Sequence, residues 1–189
     1  MSSFEELLKR RRSVRDFEDR ETPLPLIQEI IRESTLAPSA SHGQPWHFII
    51  ITDRDVMKRI SDACKRALLE SIEANPELPL SGYKAALENA AFNIFYNAPC
   101  LVYIVGPADA GSLDVDCALA ASYLMFSAVR RGLGTCWIGL ATPLQDPAIR
   151  EEIGLPEGYR IVAPIIIGYP ASIPEPLPRE EPKILKIIT

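Results

Sequence analysis

The segment Asp114–Arg131 restricts the fold more than any other stretch. Ala118, Leu119, Ala121, Leu124, Met125, Ala128 and Val129 fall around most of a helical circumference. A helix that is apolar on most sides has to be covered on most sides. Ala118, Ala120, Ala121 and Ser122 permit close helix approach, so the cover is either a domain core or the seam of a dimer. With 189 residues, 47% of them apolar, the chain is long enough for one well-buried core, and residues 1–189 read as a single domain. No apolar run reaches the roughly 18 residues of a membrane span. Met1–Glu6 lacks the basic region and apolar run of a secretory leader. A net charge of −5 argues against general nucleic-acid binding. Cys64, Cys100, Cys117 and Cys136 form no C-x-x-C pair and read as reduced, mostly buried thiols, as in a cytoplasmic protein. Cys64, beside Lys65 and Arg66, is the least clear of the four.

Periodicity predicts helices and strands in mixed order. Ser3 and Glu6 form a capping box for a helix carrying Phe4, Leu7, Leu8 and Arg11. Ser13–Phe17 reads as extended. A second helix begins near Thr22–Pro25 and ends before Pro38. Trp46–Thr52 is a strand, and Asp53 caps a helix running to about Glu73. Asn75–Gly82 is a loop, Tyr83–Tyr96 a helix, and Cys100–Val105 a second strand. Thr135–Ile138 is a short strand, Asp146-Pro147 opens a helix that closes at Gly154, and Tyr159–Ile167 is the last strand. Pro170, Pro174, Pro176, Pro178 and Pro182 then exclude regular structure. Ile184, Leu185, Ile187 and Ile188 are nevertheless too apolar for a disordered end. An extended arm lying over a partner subunit reconciles the two.

Lys9-Arg10-Arg11-Arg12-Ser13-Val14-Arg15 places five cationic side chains and a hydroxyl within seven residues. A forked guanidinium bonds two phosphate oxygens at once, so an anion site is one reading. The other is a helix end whose cations offset the macrodipole. Gly132-Leu133-Gly134 is not a dinucleotide fingerprint. Trp137 stands where the third glycine belongs, and the motif follows a helix instead of a strand. His42 and His47 lack acidic or cysteine partners for a metal, and no metal site is expected. Ser39 or Ser41 beside His42 lacks the strand–G-x-S-x-G–helix setting of a nucleophile.

The ordered set is more specific than its parts. Arg11-Arg12-Ser13-Val14-Arg15, the loop Ala37–Phe48, Gly132–Gly139, and Gly168-Tyr169-Pro170 with its proline-rich basic tail together resemble the FMN-dependent nitroreductase family over nearly the whole chain. The resemblance implies an α+β, nitroreductase-like fold: a central, mostly antiparallel sheet flanked by helices, in a homodimer with extended C-terminal arms (residues 170–189). It also implies two FMN sites at the subunit interface. Arg11, Arg12, Ser13 and Arg15 would hold the FMN phosphate, with Arg179, and Lys183 beside it, added from the tail. Pro38, Ser39, Ala40 and Ser41 would come from the other subunit to line the ring and ribityl chain, with Gln44 at the ring edge. Ile138 and Gly139 would set backbone against the flavin. Asn89 and Asn93 are candidates for the pyrimidine edge. Many relatives carry Asn where this chain has His42, and the short Asn75–Gly82 segment implies an open pocket. The activity implied is hydride transfer from NADH or NADPH to a nitroaromatic, quinone or similar acceptor by a ping-pong route that needs no catalytic side chain. A different flavin reaction, such as dehalogenation or flavin fragmentation, and a non-catalytic FMN-binding dimer are the alternatives.

Overall fold

A computed structural model describes residues 3–189; the part of the leader reading that rests on Met1 and Ser2 lies outside the described residues. The fold is α+β, built on a four-stranded sheet in the order β1-β2-β4-β3 with every neighbouring pair antiparallel. The strands are β1 (His47–Ile51), β2 (Cys100–Pro107), β3 (Gly134–Trp137) and β4 (Tyr159–Gly168).

Both faces of this sheet are covered. Successive strand side chains point to opposite faces. Leu101, Tyr103 and Val105 of β2 enter a core shared with α3 (Arg54–Ala74) and α6 (Pro147–Glu152). Cys100, Val102 and Ile104 enter a second core shared with α2 (Leu24–Ser34) and α5 (Leu113–Arg130). That explains why the central strands read as almost continuously apolar. Pro164 is tolerated inside β4 because its carbonyl, and with it the side where its N–H is missing, faces Ile138, just past the end of β3.

Helix ends follow their local codes. Ser3 Oγ accepts the Glu6 N–H while Glu6 Oε2 accepts the Ser3 N–H, opening α1 (Phe4–Arg10). Asp53 and Asp146 cap α3 and α6. α1 ends at Arg10, so Lys9 and Arg10 occupy its last turn while Arg11–Arg15 run on as extended chain.

Two expectations are corrected. Tyr83–Tyr96 is not one helix: only Lys84–Glu88 (α4) is α-helical, after a 3-10 turn at Pro79–Tyr83. The Asn89 and Asn93 side chains accept the Ala91 and Phe95 N–H groups, and these local bonds compete with the helical ladder. Tyr96 and Asn97 then adopt left-handed backbone. Buried Lys65 fixes the segment by donating to the carbonyls of Asn89 (2.6 Å) and Phe92 (2.9 Å). The second correction concerns α5, expected to be covered on most sides: it buries half of its residues, Leu113, Asp116, Cys117, Ala120, Ala121, Leu124, Ser127, Ala128 and Val129, and leaves one flank open. Tyr123 is exposed and Phe126 half-buried, and with Phe4, Leu7 and Leu36 they line an apolar groove of about 460 Å³.

All four cysteines are free and buried, Cys64 included. Burial pushes the Cys64, Cys100 and Cys117 thiols up to about 12. Residues 171–189 belong to no helix or strand and are exposed. Among the described residues, no helix is long and apolar enough to cross a membrane, and no cluster of His, Cys, Asp or Glu is suited to a metal.

Candidate functional site

The extended segment after α1 is pinned to the sheet edge. Val14 N–H donates to Thr135 O at 3.0 Å, and Ser13 bridges Thr135 in parallel. The Gly132-Leu133-Gly134 turn allows this. Gly132 closes α5 with a φ of 75°, which costs glycine little. Gly134 lies flat under Val14, whose side chain would meet an added Cβ at 2.8 Å. These glycines therefore seat the basic segment on β3 and have no part in a dinucleotide loop.

Arg11, Arg12, Ser13 and Arg15 line one cavity of about 850 Å³ together with Arg179, which arrives from the tail with Pro174, Glu175, Pro176 and Leu177. Leu8 and Lys9 complete the wall; Lys9 is already engaged by Glu5. Among the described residues, none of the four guanidiniums in this cavity has a carboxylate partner within ion-pair distance. Arg12 donates to Arg11 O at 2.6 Å, and its buried Nε has no hydrogen-bond partner. Four unpaired cations against the single carboxylate of Glu175 leave this space with an excess of positive charge, which suits a multiply charged anion. Arg15 also lies 5.8 Å from the centre of the Tyr96 ring. Beneath the segment, burial raises the Cys136 thiol, while Arg15, the Ser13 hydroxyl and Arg11 oppose that shift.

The remaining expected residues lie elsewhere. Ile138 is buried and donates its N–H to Pro164 O at 2.8 Å, so Gly139 is the member of the pair that faces solvent. A Cβ on Gly139 would meet nothing within 4 Å. Pro38, Ser39, Ala40, Ser41 and Gln44 lie at the far end of α5, where the Ala40 N–H donates to buried Asp116 Oδ1 at 3.0 Å. Ser41, His42 and Gln44 all have positive φ (49°, 58° and 45°), a strained run for residues with side chains. From Asp116 to the last turn of α5 is about 21 Å at 1.5 Å per residue. One chain therefore does not bring this loop to the cationic cavity. Asn89 and Asn93 spend their carbonyl oxygens on their own turns. Lys183 pairs with Glu180 at 2.6 Å and does not line the cavity.

Lys9, Tyr96 and Thr135 also belong to this neighbourhood, and the sequence gives no signal for the latter two. Their placement depends on a turn and a strand edge set by tertiary packing.

Comparison with known proteins agrees with this architecture. A protein of Archaeoglobus fulgidus carrying the provisional name NADH dehydrogenase/NAD(P)H nitroreductase is 30% identical over 162 residues, covering 85% of this chain and 81% of that one. Human iodotyrosine deiodinase 1 is 28% identical over 192 residues, covering 91% of this chain and 64% of that protein. The fold is shared with a Desulfitobacterium hafniense nitroreductase solved with bound FMN, at a TM-score of 0.82 and 23% identity over 99% of each chain. The sequence model of the Nitroreductase family matches residues 8–169. On these grounds the chain belongs to the Nitroreductase family.

Proposed function

We propose that this chain is an FMN-dependent oxidoreductase working as a single-domain subunit of a cytoplasmic homodimer. The observation that carries the reading is the cavity in which Arg11, Arg12, Arg15 and Arg179 meet without a carboxylate partner, beside the Ser13 hydroxyl. That donor set fits a phosphate dianion: forked cations supply paired N–H donors and the hydroxyl a further one. The buried, unpartnered Arg12 Nε is a donor that such a ligand satisfies. When bound, FMN supplies the ring that takes hydride from NADH or NADPH and passes it to an electron-poor acceptor such as a nitroaromatic or quinone.

The chain's own tasks are to bind, orient and shield. The cationic cavity anchors one end of the cofactor, and the exposed Gly139 turn offers close backbone approach at the other. Pro38–Ser41 and Gln44 are too far along α5 to serve the same chain's cavity, so a second copy supplies them. The apolar groove between α1, α2 and α5 and the uncovered arm at 171–189 support that dimer.

The first test is a visible absorption spectrum of the purified protein, repeated after NAD(P)H is added without oxygen. A flavin band that bleaches supports cofactor and donor together. Colourless protein that takes up no added FMN overturns the reading. The similarity to iodotyrosine deiodinase 1 favours one rival, a flavin-dependent dehalogenation. Bound flavin with turnover of halogenated phenols, and of no nitro compound or quinone, would decide for it.

A further inference from the structure

Asp16 follows Arg15 directly, next to four guanidiniums that lack a carboxylate partner, yet its carboxylate does not pair with them. In extended chain, neighbouring side chains point to opposite sides. Arg15 lines the cavity, while Asp16 Oδ2 accepts the Ser172 Oγ–H at 2.8 Å. The Asp16 carbonyl also accepts the Ala171 N–H at 3.0 Å, and Glu18 N–H donates to Tyr169 O at 2.9 Å. Phe17 bridges Pro170, and the Arg20 guanidinium lies 3.7 Å over the Tyr169 ring. The root of the tail is thus clamped by the segment that carries the cationic cavity.

Beyond Ser172 the fastening stops. Among the described residues, 173–179 make no hydrogen bond to the body of the protein. Pro174, Pro176 and Pro178 stiffen this stretch, which spans about 20 Å if it follows an extended polyproline path. Through a stiff segment fixed at one end, the angle at the root determines where Arg179 falls.

We propose that Asp16 is a positioning residue of the anion site: by latching Ser172 it aims the tail so that Arg179 closes the cavity over a bound phosphate. The inference rests on the phosphate reading above. It makes a prediction opposite in sign to simple electrostatics. Removing a carboxylate beside a phosphate site should tighten anion binding through lost repulsion. Removing a latch weakens it, because Arg179 is no longer held in place.

The test is FMN affinity, read from flavin fluorescence, for the wild type and for Asp16→Ala, Ser172→Ala, Arg179→Ala and the Asp16→Ala/Arg179→Ala pair. Asp16→Ala and Ser172→Ala each weaken FMN by about 3- to 10-fold, the range of one lost hydrogen bond. The pair is no weaker than Arg179→Ala alone, since Asp16 acts through Arg179. Asp16→Asn, which keeps an acceptor for the Ser172 hydroxyl, restores most of the affinity. Riboflavin, lacking the phosphate, binds wild type and Asp16→Ala alike. Tighter or unchanged FMN binding in Asp16→Ala, full additivity with Arg179→Ala, or an equal loss for riboflavin overturns the latch. Arg15→Ala tells the two failures apart: if FMN affinity ignores it, the phosphate reading fails, and the latch with it.

Discussion

Arg15 and Gly139 take different parts in the proposed site, and single substitutions separate them. Arg15 is exposed and pairs with no carboxylate, so Arg15→Ala takes little from the fold. It should weaken FMN by about 10- to 100-fold, the worth of a charge-assisted hydrogen bond. Titration of the two proteins with FMN checks this, and equal affinities would remove Arg15 from the site. Gly139 is the converse case. A Cβ there meets nothing of the protein, and the residue has no left-handed backbone to protect. Gly139→Val should melt within a few degrees of wild type yet lose roughly tenfold or more in turnover, because the added methyls occupy the space that the proposed function gives to the flavin ring. Normal turnover in this variant would move the ring away from the turn.

Among the elements, the α2–α5 contact has its own electrostatic signature. Arg131 reaches across to Glu33 through two bonds of 2.8 Å, and the Ser127 hydroxyl adds a third at 2.7 Å. The Arg131 hydrogen bond, aided by Ser127 and by the charges of Arg131 and Arg130, holds the Glu33 carboxyl down from 4.5 to about 2. A lowered carboxylate contributes stability that is full above its ordinary value and is lost as pH falls toward the folded value. The wild type should therefore lose melting temperature between pH 4.5 and about pH 2 partly through this pair. Glu33→Gln should start lower at neutral pH and fall less steeply through the same window. Parallel melting curves for the two proteins across that window would show that the pair adds nothing.

For the molecule as a whole, the question is how the tail and the strained loop find their places. The tail exposes Ile173, Leu177, Ile184, Leu185, Ile187 and Ile188, more apolar surface than a free end keeps in water. Deleting residues 171–189 removes both this surface and Arg179. The truncated chain should shift toward monomer in a solution mass measurement and should hold FMN less tightly. A dimer unchanged by the deletion would count against an arm that wraps the second copy. The loop at Ser39–Gln44 is the other half of the same question. Asp116, buried at the start of α5, holds it at the end of the molecule where its own cavity is not.

What the sequence determined by itself is whatever depends on near neighbours. The Ser3–Glu6 capping box, the Asp53 and Asp146 caps and the short apolar runs of β2 and β4 are fixed by residues a few positions apart, and each appears as the pattern predicts. The resemblance, too, is carried by short motifs in order, and the family is legible from them. Tertiary structure decided what those patterns leave open. Asn89 and Asn93 chose turns over a helix because buried Lys65 takes the freed carbonyls of Asn89 and Phe92. α5 keeps an open flank because α2 and the sheet cover only part of it. Most of all, Arg15 and Arg179 stand far apart in the chain yet line one cavity, and Asp16, Phe17 and Glu18 bond the root of the tail beside it. Local codes act through bonds between neighbours, whereas a site assembled from both ends of a chain exists only once the sheet has brought those ends together.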